Sequence, residues 1–275
     1  YLTPFAPDQS GAVSVLYELG GIIVICDAGG CTGNVCGFDE PRWFERKSAV
    51  FSAGLRDMDA ILGRDDRLVA KLVDAADKID ANFAAIVGTP VPAVIGTDYR
   101  ALKRMCEKKT DLPILAIDTD GMELYDKGEE KAYLALFTAF AKEKYEVCKE
   151  KVGILGMTPQ DVSDLKAADK VREELKEGKE AICYGMGDGL EAVERASEVG
   201  KNIVVSAAAL EVAKYLEKIF GTPYEIGYPA AGELVPNLDY QGKKILVVHQ
   251  QVMAEAIRKF LKERIRQRCR QQPGL

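Results

Sequence analysis

Gly21 to Gly37, GIIVICDAGGCTGNVCG, is the stretch whose reading decides the fold. Ile22 to Cys26 run without the polar alternation of a half-exposed strand. Such a run reads as a strand covered on both faces, which points to a parallel sheet. Asp27 to Gly37 then leaves the sheet at a strand's carboxyl end, the edge where open α/β sheets bind ligands. Gly29, Gly30 and Gly33 permit positive φ and close approach of backbone to a ligand, while Cys26, Cys31 and Cys36 supply soft sulfur. The stretch reads as a metal or cofactor loop. Cys31, between Gly30 and Gly33, is its leading ligand candidate, with Cys36 and Cys26 behind it; strand alternation also aims Cys26 into a core.

Outward from this loop the chain repeats strand, loop and helix. Before it, Asp8 or Ser10 can cap a helix over Ala12 to Leu19, stopped by Gly20 and Gly21. After it come a charged segment with Trp43, a strand at Ala49 to Ser52, and helices at Asp57 to Gly63 and Leu68 to Ile79. Strand Phe83 to Val87 ends in a rigid Gly88 to Pro92 loop containing Thr89 and feeds a helix over Asp98 to Lys108. Strand Ile114 to Ile117 leads through Asp118 to Gly121 into a helix around Lys131 to Lys149. This is a βαβ series with every loop on one sheet edge. The pattern restarts at Val152 with strands there, at Ala181 to Tyr184 and at Asn202 to Val205, the last ending at Ser206. Helices over Val162 to Glu177, from Gly189 to Val199 and over Leu210 to Phe220 alternate with them. The expected division is residues 1–150, 151–242 and 243–275, the last a lone strand (Lys244 to Val248) and helix (Val252 to Ile265). One such unit cannot cover its own apolar faces, so it packs on an earlier domain or begins another.

Composition narrows the function. At 275 residues with 47% hydrophobic content, the chain can bury a sizeable core. A net charge of −6 and a pI near 5.2 argue against nucleic-acid binding, which rests on clustered positive charge. No apolar run is long enough to span a bilayer, and Tyr1 to Gly11 lacks signal-peptide character, so a cytoplasmic location is expected. Seven cysteines at irregular spacing suit reduced thiols. Cys106, Cys148 and Cys183 read as structural, and Cys269 lies in a basic tail. His249 is the chain's one histidine, which excludes metal sites needing two from one chain. The glycine cluster Gly185 to Gly189, GMGDG, is not a GxGxxG loop, and its Asp188 would repel a pyrophosphate. No GxxxxGK[ST] occurs, and no nucleophile, histidine and acid set can be built around His249.

The GCTGN loop, DEPRW after it, FSAGL and VGTPVPAVIGTD together resemble the nitrogenase component 1 type oxidoreductase family, which includes nitrogenase subunits and related tetrapyrrole reductases. NIVVS and GTPYEIGYP resemble its second domain, and GKKILVVHQQVMAEAIRKFL the first unit of its third. The resemblance implies an α/β fold of tandem Rossmann-like domains with parallel sheets, the third domain nearly absent. It implies an oxidoreductase whose iron–sulfur cluster, of [4Fe-4S] type, sits between the subunits of a homodimer or paralogous heterodimer. Electrons would come from an ATP-dependent iron–sulfur reductase and pass to a small molecule in an interdomain cleft lined by Gly88 to Gly96, Asp118 to Gly128, Gly156 to Pro159 and Ser206. Cys31 matches the cysteine of the family's HGPxGC loop. Pro90, Cys26 and a residue near Pro7 or Asp8 depart from other family ligand positions, and Ser206 stands at that of a cofactor-binding cysteine. Gly29, Gly30, Gly33, Thr89 and Ser206 are the cofactor-binding candidates, and Cys31, Cys26 and Cys36 the metal-binding ones. The alternative is a cluster-free protein of the same fold that binds a metallocofactor or serves as a scaffold.

Overall fold

The structure is a computed structural model that describes residues 5–271 except 47, 64, 163, 176, 177 and 241, with side chains left out at 60 and 266–271. Cys269 therefore lies outside the described side chains.

The first half contains α1 (Asp8–Leu16), β1 (Ile22–Ile25), α2 (Gly30–Asn34), β2 (Ala49–Ser52), α3 (Asp57–Leu62), α4 (Asp65–Ala76), β3 (Ala84–Val87), α5 (Pro90–Val94), α6 (Tyr99–Glu107), β4 (Ile114–Ile117) and α7 (Tyr125–Phe140). The second contains β5 (Cys148–Leu155), α8 (Pro159–Val162), α9 (Ala167–Glu174), β6 (Glu180–Cys183), α10 (Leu190–Glu194), β7 (Val199–Val204), α11 (Leu210–Phe220), β8 (Tyr224–Ile226) and α12 (Gln251–Gln271). Two four-stranded sheets result, ordered β2-β1-β3-β4 and β6-β5-β7-β8, with every pairing parallel. The chain is thus α/β with parallel sheets.

Side-chain alternation along the strands builds the layers. In the first sheet, Ile22, Val24, Ala84, Ile86 and Ile114 face α4 and α6 through Leu68, Leu72, Leu102 and Cys106. The opposite face, with Ile23, Ile25, Ala85, Val87 and Leu115, meets α1 and α7, beyond which the same cluster continues into α10 and α11. Leu155 and Val204 of the second sheet join that same cluster from the other side. The second sheet's outer face packs on α9 and α12 through Val171 and Met253. A helical layer is therefore shared by both sheets, and α7 runs through it. Phe137 of α7 sets its ring edge-on to Tyr184 at 5.1 Å, and Phe83 and Phe140 lie 5.7 Å apart. The run from Tyr133 to Ala141 is thus core helix: Tyr133, Leu136, Phe137 and Ala141 are buried.

Several elements differ from the sequence reading. Helix α1 begins at Asp8 without a side-chain cap. The Asp8 carboxylate instead accepts from the Asp120 and Gly121 N–H groups at 3.0 and 2.7 Å, and the Ser10 hydroxyl donates to Asp39 at 2.7 Å. The helix expected over Lys131 to Lys149 starts at Tyr125 and stops at Phe140, and Cys148 to Lys151 belong to β5. The expected Val162 to Glu177 helix is broken into α8 and α9. Gly88 to Pro92 is not wholly loop, since Pro90 opens α5. Lys244 to Val248 forms no strand; the tail's helix α12 covers the second sheet's outer face, where Phe260 lies against Gly232. Among the described residues no helix is long and apolar enough to cross a membrane.

Candidate functional site

The cysteine segment leaves β1 at the carboxyl edge of the first sheet and is helical rather than loop. Asp27, buried, organises it: its carboxylate accepts from the Thr32 N–H at 2.7 Å, the Thr32 hydroxyl at 3.0 Å and the Ser52 hydroxyl at 2.6 Å. Gly29 has φ +118°, a left-handed conformation that a side chain would strain, and it lets the chain turn from strand into α2. Gly30 and Gly33 face open space. Beyond α2 the chain passes into a π-helix, Val35–Asp39, a rare geometry that often marks functional sites.

The three sulfurs go to different places. Cys26 is 1% exposed and belongs to the outer core with Leu68 and Cys106, apart from the core that Cys31 and Cys36 pack against. Burial, joined by the Asp27 charge, pushes its thiol far up. Cys31 and Cys36 are half-buried and pack against the other core, the one shared by both sheets. Thr89, beside the Cys31 thiol, donates its hydroxyl to the Cys26 carbonyl at 2.6 Å. Burial and then Asp27 push the Cys31 thiol up, opposed by Thr89; burial, Glu40 and Asp27 do the same to Cys36. Among the described residues, no group of three His, Cys, Asp or Glu side chains is gathered as a metal site. One chain thus offers two accessible thiols, Cys31 and Cys36, at this edge.

The loops at this carboxyl edge carry large exposed apolar side chains. Phe38 follows β1 and is 83% exposed; Ile61 follows β2 at 74%, Val94 follows β3 at 86% and Met122 follows β4 at 82%. A pocket of about 230 Å³ opens at the same edge, with Asp59, Asp65 and Asp98 among its lining residues.

Ser206 belongs to a different cluster. Its hydroxyl accepts from the Ala208 N–H at 3.4 Å, and its side chain faces Asp161. Within the stretches expected to line a cleft, Thr119, Thr158 and Ser206 are buried and Gly128 lies directly against the Asp8 carbonyl, whereas Val94 and Met122 are exposed. The GMGDG loop is structural: Asp188 accepts from the Cys183 N–H at 2.6 Å and from Arg172 at 2.7 Å. His249, half-buried, accepts from the Gln250 N–H at 2.9 Å, and burial lowers its pKa.

Sequence reasoning gave Arg42 no role of its own. It is buried and pairs with Glu40 through Nε–Oε1 and Nη2–Oε2, both at 2.7 Å. It also donates to Glu18 at 3.3 Å, to the Ser14 carbonyl at 2.6 Å and, across to the second sheet, to the Gly185 carbonyl at 3.0 Å. Its guanidinium stands 4.9 Å from the Tyr17 ring centroid. Trp43 packs partly buried beside it against the shared core. Five donors on one planar group suit this junction, and the DEPRW spacing was the only signal of it.

A family model described as nitrogenase component 1 type oxidoreductase matches residues 9–230. The nitrogenase iron-molybdenum cofactor biosynthesis protein NifE of Bradyrhizobium diazoefficiens is 23% identical over 190 residues, 64% of this chain and 32% of the relative. Among solved structures, nitrogenase Cp1 at pH 6.5 superposes with a TM-score of 0.68 and 18% identity, over 85% of this chain and 48% of that one. Nitrogenase Cp1 at pH 5 gives the same TM-score and identity over 50% of its length. At these identities the structural likeness is one of fold. The chain spans 32% of the length of the curated relative and 48% to 50% of the solved chains.

Proposed function

The chain belongs to the nitrogenase component 1 type oxidoreductase family, and from that premise we propose that it is a redox component whose iron–sulfur centre is completed between two subunits. The supporting observation is that two accessible thiols, Cys31 and Cys36, stand at the same sheet edge as several large exposed apolar side chains. A cluster of [4Fe-4S] type takes four thiolates, and two copies, or one copy and a paralogue, would supply Cys31 and Cys36 from each. One chain alone does not supply four thiolates at this edge; a pair meeting there would. Bound there, the group would supply one-electron transfer, drawing on an ATP-dependent reductase and serving a small-molecule substrate. The chain's own part is to hold the thiols and keep water from them. Asp27 fixes the start of α2 through Thr32 and Ser52, and the exposed apolar side chains of this edge would close against the partner. Gly29, Gly30 and Gly33 leave the loop face open until then. Because burial, and then the neighbouring acids, favour the protonated forms of both thiols, iron uptake would release protons and be favoured by rising pH.

A second reading is favoured by those raised thiols and by the likeness to a cofactor biosynthesis protein: a scaffold of the same fold that holds a metallocofactor without its own cluster. Anaerobic purification separates the two. The redox reading expects about two iron atoms per chain and broad visible absorption. Both should disappear in Cys31→Ala and Cys36→Ala and persist in Cys26→Ala. A wild-type protein that stays colourless after anaerobic reconstitution hands the chain to the scaffold reading.

A further inference from the structure

Where α7 meets the loops of the second sheet, two acids are buried together. Glu129 of α7 and Asp161 of α8 have essentially no solvent contact, and they meet at the Thr158 hydroxyl, which donates to Glu129 Oε1 at 2.6 Å and accepts from the Asp161 N–H at 3.4 Å. The Tyr125 hydroxyl, one turn before Glu129 on α7, donates to Asp161 Oδ1 at 3.2 Å. The remaining oxygens, Glu129 Oε2 and Asp161 Oδ2, have no hydrogen-bond partner among the described residues. The buried Tyr133 hydroxyl, one turn on from Glu129, also lacks a side-chain partner and lies close enough to feel both carboxyl charges. Two ionised carboxylates cannot face each other in so dry a place, whereas one proton between them satisfies both orphaned oxygens at once.

We propose that Glu129 and Asp161 form a proton-binding site, a carboxyl–carboxylate pair that holds one shared proton and clasps α7 to the loops after β5 and β7. The charged and titratable neighbours support it. Tyr125, Asp126 and Tyr133 face the pair from α7, and Asp126 adds negative charge. Ser206 and Thr158 bring hydroxyls from the second sheet's loops. Asp8 of α1 is engaged with Asp120 and Gly121, and Arg42 acts on Tyr133 rather than on the pair. Among the described residues neither carboxyl makes an ion pair with a lysine, arginine or histidine. Burial, then the charge of Asp161, raises Glu129 well above the ordinary carboxylate range; burial also raises Asp161, with Glu129, Ser206 and Tyr125 opposing. The pair titrates as a unit.

A folded state that holds a proton the unfolded chain releases is most stable below the ordinary carboxyl pKa of about 4 and loses that stability as pH rises through the raised value. The inference does not depend on an iron–sulfur centre, and its test uses the chain without iron. Wild type and Glu129→Gln are unfolded with urea across the range from acid to mildly alkaline pH. The glutamine amide donates to Asp161 in place of the proton. The wild-type unfolding constant should rise up to tenfold more per pH unit than that of Glu129→Gln, the slope of one proton. Infrared spectra of wild type at neutral pH should carry a protonated-carboxyl band that Glu129→Gln lacks. Asp161→Asn serves as the reciprocal variant, and the wild-type infrared band stands alone if neither variant folds. Equal pH slopes, or no protonated carboxyl in wild type, would overturn the proposal. So would stabilisation of wild type but not Glu129→Gln by magnesium or calcium chloride, which would mean that the facing oxygens hold a cation instead.

Discussion

Arg42, the largest fully buried side chain among the described residues, brings its charge to the place where three segments meet. Burial alone would discourage its charge, but Glu40 and then Glu18 outweigh this and raise its pKa. Such a pair adds little net stability compared with apolar residues of the same shape, yet removing one member strands the other. Arg42→Met leaves the buried Glu40 carboxylate with only the residue-42 N–H and takes the guanidinium donor from the Gly185 and Ser14 carbonyls. It should cost about 3–5 kcal/mol in urea unfolding, and the double variant Arg42→Met/Glu40→Met should recover much of that. A single variant within about 1 kcal/mol of wild type would mean that water reaches the guanidinium site. The exposed Arg46 to Glu18 contact, 2.8 Å long, should be worth a fraction of this, because its arginine is solvated.

At the scale of elements, α1 and α7 cross so closely that each has a glycine at the contact. A Cβ on Gly11 would lie 1.9 Å from the Tyr125 carbonyl oxygen, and one on Gly128 would lie 1.7 Å from that of Asp8. Neither glycine is there for its φ; both are there for backbone approach. Gly128→Ala must push the helices apart and should destabilise by about 3 kcal/mol or more in thermal unfolding. Gly30→Ala, where a Cβ meets nothing, should stay within about 1 kcal/mol of wild type. The same distinction explains what the sequence could reveal. The buried strands β1, β3 and β4 were legible because both faces of a parallel sheet demand apolar runs, and the repeated order of strand and helix made the α/β fold legible too. Helix ends were not. Cys148 to Lys151 project from β5 with Lys149 and Glu150 exposed, a polar pattern that passes for the end of an amphipathic helix. In the candidate site, Cys31 could be found from its glycines and its position after a strand. Cys26 was ambiguous until strand alternation placed it among Leu68 and Cys106. The meeting of Glu129 with Asp161 could not be read at all, since one lies mid-helix, the other follows a turn, and only tertiary packing unites them.

For the whole molecule, the decisive feature is that the two sheets do not have separate interiors. The cluster containing Ile23, Val87 and Leu115 of the first sheet continues through α1 and α7 to Leu155 and Val204 of the second. Removing either half would expose α7's Phe137, Leu136 and Tyr133, each worth about 1.5–3 kcal/mol in burial. Arg42 and the Glu129 to Asp161 contact add polar ties across the same junction. Cooperativity should therefore extend over the whole chain, although length and the doubled strand pattern suggest two independent units. Far-UV circular dichroism, which reports on every helix, and the fluorescence of Trp43, which reports on the shared core, should give coincident urea transitions. Phe137→Ala, which removes the ring facing Tyr184, should shift both midpoints together by the equivalent of about 3–5 kcal/mol. If Trp43 fluorescence instead changed at lower urea than the dichroism, the second sheet would be standing alone on α9 and α12, and α7 would have to be assigned to the first sheet only.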